Sequence, residues 1–194
     1  RTRCPRSLRP DAMNYGRVAH ILGTFCVFIS FMLVVPLLVA YFHGETDAYR
    51  AFGIPIVIGL VLGLFLRRVF KNASRNLYRR EGLLIVTGCW LVAAILGAVP
   101  FAVSGMIPNL EDSFFESMSG FTTTGSTILR DIDAHRLSDR GLMFWRSMTH
   151  WLGGMGIVVL FVAVLPALGV GGRLLYQFEA PGVETDDLKP RIRE

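Results

Sequence analysis

Cysteine and histidine are few and scattered in this chain. It has three cysteines and four histidines in 194 residues. Cys4, Cys26 and Cys89 form no CxxC, and His20, His43, His135 and His150 form no pair with metal-ligand spacing. A zinc centre or a disulfide framework is therefore not what organises the fold. No GxSxG string is present, so the usual signature of a serine nucleophile is missing. Charge is thin as well. Only 18% of residues are charged against 52% hydrophobic, and the mean hydropathy is +0.47. Soluble domains of this length are less apolar. What is abundant is glycine (20) and phenylalanine (14), a composition that suits bilayer helices.

The opening stretch RTRCPRSLRPDA is arginine-rich and reads as disordered, or as translated sequence upstream of Met13. A cleaved signal peptide is not expected, because the first apolar run is too long and no small-residue cleavage site follows it. The closing TDDLKPRIRE carries no structural punctuation, and a longer reading frame is expected.

A bilayer helix needs roughly 20 mostly apolar residues. Val18 to Phe42, Phe52 to Leu66, Gly82 to Val103 and Leu142 to Leu168 meet or approach that length. Pro36 and Pro100 are tolerated inside the first and third, and the fourth carries Arg146 near its start. Basic residues gather before the first run and between the second and third, in RRVFKNASRNLYRR, whereas Arg50 is the one basic residue between the first and second. The positive-inside rule then places the N-terminus and that loop in the cytoplasm and 104–140 outside. The outer segment holds Glu111, Asp112, Glu116, Asp131, Asp133 and Asp139 against Arg130, Arg136 and Arg140. Such an acidic mouth suits cation entry, and also suits a plain solvated loop. The basic loop from Arg67 to Arg80 fixes topology and can meet anionic lipid or a cytosolic partner; nucleic acid is not expected.

Within the outer segment, PNLEDSFFESMSGF is too short to cross a bilayer. Leu110, Phe114, Phe115, Met118 and Phe121 repeat on a helical period. Asn109 is a plausible N-cap, with Asp112 three residues on in the manner of a shortened capping box. The spacing predicts a helix of about ten residues from Leu110, either re-entrant or lying on the membrane surface. TTTGST follows it. Non-helical backbone at membrane depth persists only when buried in protein or lining a watery cavity. Threonines favour extended backbone, and Gly125 permits a positive φ. A row of backbone oxygens facing one axis replaces the hydration shell of a monovalent cation, as in the TVGYG filter of potassium channels. Here Thr123-Thr124-Gly125 stands where Thr-Val-Gly stands, with the negative end of the short helix aimed at the ion.

FFESMSGFTTTGSTIL, FWRSMTHWLGGMGIVVLFVAVLPALGVGG, EAPG and KPRI together resemble the bacterial Trk potassium-uptake membrane subunit, of the Trk/Ktr/HKT superfamily. The resemblance runs from Tyr15 to Glu194. It implies an all-α polytopic membrane protein with two leading transmembrane helices and one helix–pore-loop–helix repeat of a potassium-channel-like fold. The organisation it implies is a basic cytoplasmic segment 1–17, leading helices with their basic loop 18–81, a first pore repeat 82–168, and a connector 169–194. Thr122, Thr123, Thr124, Gly125 and Ser126 match the family's first filter strand. K+, the transported ion, would be held by backbone oxygens of Thr122, Thr123, Thr124 and Gly125, with no bound organic cofactor. The implied partners are three further pore repeats, a second copy of the chain, a cytosolic ring of nucleotide-binding regulatory subunits, and the lipid bilayer. The implied location is the bacterial inner membrane, multi-pass, with a cytoplasmic N-terminus. His150 departs from the glutamine-like neutral residue expected at its position.

Glu116 and Arg146 are ionisable residues in apolar surroundings, and charges there usually find partners. An ion pair bracing the filter is the expectation; the alternative has Arg146 reaching the interface and Glu116 capping nearby backbone. Gly153, Gly154 and Gly156 give the fourth run a face without side chains, expected to seat the pore helix or to act as a hinge. Trp90, Trp145 and Trp151 read as interface or packing residues. Two other functional classes compete with a Trk-type subunit. One is a homotetrameric potassium channel made of this short chain. The other is a membrane-embedded serine hydrolase with Ser119 or Ser126 as nucleophile and His150 as base.

Overall fold

A computed structural model describes residues 13–73, 79–130, 132 and 138–167. The arginine-rich start, Arg75 in the basic loop, Asp131, Asp133, His135 and Arg136 in the 104–140 segment, Leu168 at the end of the fourth run and the connector 169–194 lie outside the described residues. Helices account for the secondary structure: α1 Tyr15–Phe42, α2 Ala48–Val69, α3 Arg79–Ser104, α4 Leu110–Phe121 and α5 Arg140–Ala167. There is no strand among the described residues. Among the described residues three helices, Tyr15–Phe42, Ala48–Val69 and Arg80–Ser104, are long and apolar enough to cross a membrane. α5 matches α1 in length at 28 residues, and α4, with 12, spans only about 18 Å.

The helices start earlier than their apolar runs. α2 begins at Ala48 and takes in Arg50, and it continues through Arg67 and Arg68 to Val69. Backbone hydrogen bonding does not stop where hydropathy does. Asn14 caps α1, its Oδ1 accepting the Arg17 amide at 3.1 Å. The Asn14 amide in turn donates to Glu81 Oε1 at 3.1 Å, so α3 holds the first turn of α1 in place. Glu81, the lone acid in a basic loop, is 2% exposed.

Two compact units follow along the chain, Arg1–Gly154 and Met155–Glu194. In the first, small residues mediate the helix contacts, as expected where lipid removes any hydrophobic gain from burying leucine. A Cβ on Gly63 would stand 2.6 Å from the Gly23 carbonyl, and one on Gly59 would overlap Ser30 Oγ. α1 therefore turns Gly23, Cys26, Ser30 and Leu33 inward, leaving Phe28, Phe31, Val35 and Leu38 exposed. Trp145 anchors α5 to α3: it is fully buried, and its indole Nε1 donates to the Gly97 carbonyl at 3.0 Å. The turn after α1 reaches the same helix. Glu45 Oε1 accepts the Arg140 amide at 2.7 Å and Oε2 the Gly141 amide at 3.1 Å, which satisfies two open donors at the start of α5. In the second unit, Met155–Ala167 is the helical end of α5, and Gly156 on it is exposed.

Candidate functional site

α4 presents an unusual face to its neighbours. Ser113, Glu116, Ser117 and Gly120 are buried, at spacings of three, four and seven residues that fall on one side of a helix. The apolar stripe lies largely on the other side: Leu110 is 76% and Phe115 47% exposed. Phe114 and Met118 are half-buried, and of that stripe only Phe121 is buried. The helix is thus packed by small and polar residues, the reverse of the stripe expected from its apolar period. Its surroundings explain this. At Gly97 of α3 a Cβ would stand 2.6 Å from Ser117 Oγ and 2.8 Å from the Phe121 ring, and at Gly120 it would overlap the Thr149 hydroxyl of α5. Only small side chains let three helices meet this closely.

Asn109 is the N-cap, as its position suggests, but its side chain does not cap. Its Nδ2 donates to Asp112 Oδ2 at 3.0 Å. Ser113 Oγ donates to the Ile107 carbonyl at 2.7 Å, which binds the helix start to the turn before it.

At the other end the chain leaves the helix through tight turns. The amides of Thr122, Thr123 and Thr124 donate to the carbonyls of Met118, Gly120 and Ser119 at 2.8, 3.0 and 3.0 Å. Thr123 has φ 57° and Gly125 φ 78°, so 122–126 is not a plain extended strand. Two left-handed residues flank Thr124. For β-branched Thr123 that conformation costs roughly 1–2 kcal/mol. Its amide bond to Gly120 and its hydroxyl bond to the Thr122 carbonyl, at 2.7 Å, hold it there. The Thr122 hydroxyl bonds the Met118 carbonyl and the Thr124 hydroxyl, both at 2.8 Å. Residues 122–127 are exposed. Among the described residues, no hydrogen bond engages the carbonyl oxygens of Thr123, Thr124 or Gly125.

Glu116 clamps the limb that follows. Glu116 as a whole residue is 2% exposed, and its carboxylate is the acceptor. It accepts from Thr127 Oγ1 at 3.0 Å to each oxygen, from the Ile128 amide at 3.0 Å, and from Arg146 Nε at 2.6 Å. Arg146 is the neighbour expected from the sequence, and its side chain is 16% exposed against 1% for Glu116. A buried carboxylate is costly unless a counter-charge and further hydrogen bonds surround it, and both do here.

The three glycines of α5 divide. A Cβ on Gly153 would overlap the Phe121 carbonyl, so this glycine is the seat of α4. At Gly154 nothing lies within 4 Å, so the close approach expected there is not made among the described residues. His150 Nδ1 is 2.9 Å from the Arg146 carbonyl of its own helix, and Ser119 Oγ donates to the Ser126 carbonyl at 2.6 Å. No serine–histidine hydrogen bond exists among the described residues. Sequence reasoning missed Glu45, Glu81 and Thr127. For Glu81 the available signal was a lone acid beside a basic loop; for Glu45 it was weaker, an acid in a short turn that also holds Asp47.

The chain is similar to known proteins over nearly all of its length. The model of a family described as TrkH, cation transport protein, matches residues 49–193. Trk system potassium uptake protein TrkH of Escherichia coli K12 is 41% identical over 185 residues, covering 94% of this chain and 37% of that protein. Trk system potassium uptake protein TrkG of the same strain is 35% identical over 180 residues, covering 91% and 36%. The crystal structure of the potassium transporter TrkH from Vibrio parahaemolyticus superposes with a TM-score of 0.75 at 32% identity, covering 86% of this chain and 36% of that one. The chain thus spans just over a third of the length of these relatives.

Proposed function

Because the chain belongs to the TrkH family of cation transport proteins, we propose that it supplies one wall of the ion pathway of a Trk-type potassium uptake subunit in a bacterial inner membrane. In this reading Thr123, Thr124 and Gly125 present carbonyl oxygens to K+, and no bond chemistry is involved. The observation that carries it is the set of three unpartnered carbonyls on an exposed segment next to a buried clamp. A carbonyl held at membrane depth without a partner costs several kcal/mol, unless water or a cation takes the place of that partner. Backbone oxygens that replace a hydration shell are the means by which potassium filters select. Thr122 contributes less, since its carbonyl already accepts from Thr123 Oγ1, and Ser126 none, since its carbonyl is held by Ser119.

Glu116, Arg146 and Gly153 support that wall in the same reading: the first two hold 127–128 in place and the third seats α4. One wall does not enclose an ion, so three further pore loops complete the ring. A second copy of the chain and a cytosolic nucleotide-binding regulatory subunit are the partners that the family resemblance implies. Arg67 and Arg68 in the last turn of α2 and Lys71 just after it face the cytoplasm in this arrangement.

Growth at low potassium tests the proposal. The complete reading frame is expressed in a bacterium lacking its own potassium uptake systems, with and without Gly125→Ser. A side chain at Gly125 meets open space, so its cost is conformational, at φ 78°. Rescue by the wild type and loss of rescue by the variant are expected. Equal rescue by both contradicts the assignment.

A further inference from the structure

One residue holds both sides of Gly125. The Ser119 carbonyl accepts the Thr124 amide at 3.0 Å, and the Ser119 hydroxyl donates to the Ser126 carbonyl at 2.6 Å. Ser119 is 5% exposed, on α4, whereas Thr124, Gly125 and Ser126 are exposed. The two bonds hold the 123–124 and 126–127 peptide groups, one peptide away from the glycine on each side, and so restrain the short span between them. They leave the carbonyls of Thr124 and Gly125 unpartnered and draw that of Ser126 inward, onto a buried hydroxyl.

Glycine makes this control necessary. With no Cβ, Gly125 populates positive and negative φ with similar ease, so the peptide after it can rotate unless something else holds it. Selectivity between K+ and Na+ depends on the number and field strength of the oxygens a filter offers. A rotating Gly125–Ser126 unit would change that number.

We propose that Ser119 is a positioning residue for ion selection, holding the Ser126 carbonyl away from the cation path so that the segment offers a fixed set of oxygens. The inference rests on the potassium pathway proposed above and names the residue that sets its discrimination. Ser119 touches no ion in this arrangement; it acts through Ser126.

The test is uptake by the complete reading frame carrying Ser119→Ala, Ser119→Thr or Ser119→Cys, with K+ and Na+ in competition. The amount of protein in the membrane is measured for each. Loss of one buried hydrogen bond corresponds to about a fivefold to tenfold change in an equilibrium ratio. Ser119→Ala is therefore expected to lower the K+ over Na+ preference severalfold, with maximal K+ uptake per molecule little changed. Ser119→Thr, which keeps the hydroxyl, restores the preference. If the alanine variant does not reach the membrane, Ser119→Cys, similar in size but a weaker donor, is read instead and is expected to show an intermediate loss of preference. Unchanged preference in a variant that transports K+ overturns the inference, as does absence of both the alanine and cysteine variants from the membrane, which assigns Ser119 to folding alone. A wild type that takes up no K+ refutes the underlying potassium reading, a result distinct from a selective wild type with an equally selective variant.

Discussion

Arg146 Nε lies 2.6 Å from Glu116 Oε1 across 30 residues of sequence, and the two partners are unequally buried, with side chains 16% and 1% exposed. The inequality gives a direction. Arg146→Gln leaves a buried anion without its counter-charge, at a cost of about 3 kcal/mol or more. Glu116→Gln leaves a cation on a long side chain that reaches polar surroundings more easily. Yield and thermal melting of the purified full-length protein are expected to fall most for Arg146→Gln, less for Glu116→Gln, and to recover in part in the double variant. Normal yield for Arg146→Gln contradicts the clamp.

The glycines of α5 make a paired prediction. Gly153→Ala forces a methyl group into the Phe121 carbonyl, whereas Gly154→Ala enters open space. The first is expected to cost at least the 1–3 kcal/mol typical of overpacking and to displace the end of α4; the second is expected to be near neutral. Thermal melting of the two variants separates them, and equal melting temperatures contradict the seat at Gly153.

Thr127 ties the loop to the clamp through a hydroxyl alone. Thr127→Val keeps shape and removes the donor to Glu116 and the acceptor for the Leu129 amide. A cost of about 1–3 kcal/mol is expected, since one partner is charged. It should appear as weaker K+ uptake at low concentration, with little change in protein yield. Uptake equal to wild type at every K+ concentration shows that the clamp does not reach the ion path.

The helices were legible in the sequence, and the inward face of the short one was misread for a physical reason. Long apolar runs located α1, α2, α3 and α5, but the ends of α2 and α3 were set too tightly, because Arg50, Arg67 and Arg79 continue hydrogen-bonded helix beyond the apolar core. For α4, equating apolar with buried fails where the surroundings are themselves apolar. There the packed side is the one that permits close approach, and Ser113, Glu116, Ser117 and Gly120 spell it out at helical spacing. The Glu116–Arg146 contact was legible because an intramembrane charge needs a partner. The left-handed turn at Thr123 and the reach of Glu45 to the start of α5 were not. The first depends on a hydrogen bond to Gly120 and the second on a contact 95 residues away, and neither leaves a local pattern.

Glu45 tests that distant contact. Glu45→Ala removes both acceptors at the start of α5, and a loss of about 1 kcal/mol is expected, as for other helix caps. Glu45→Gln, which keeps one oxygen acceptor, is expected to lose about half as much. Thermal melting gives the order, and an unaffected Glu45→Ala protein contradicts the cap.

The account rests on backbone oxygens of Thr123, Thr124 and Gly125 meeting the transported ion. The most direct measurement is a crystal structure of the complete transporter grown with thallium(I) in place of K+, read for anomalous signal. The account predicts a peak on the pathway axis within coordination distance of those three carbonyls, with the Ser126 carbonyl still on Ser119. Ions found only elsewhere, with the carbonyls of 123–125 hydrogen-bonded to protein or turned to lipid, contradict it.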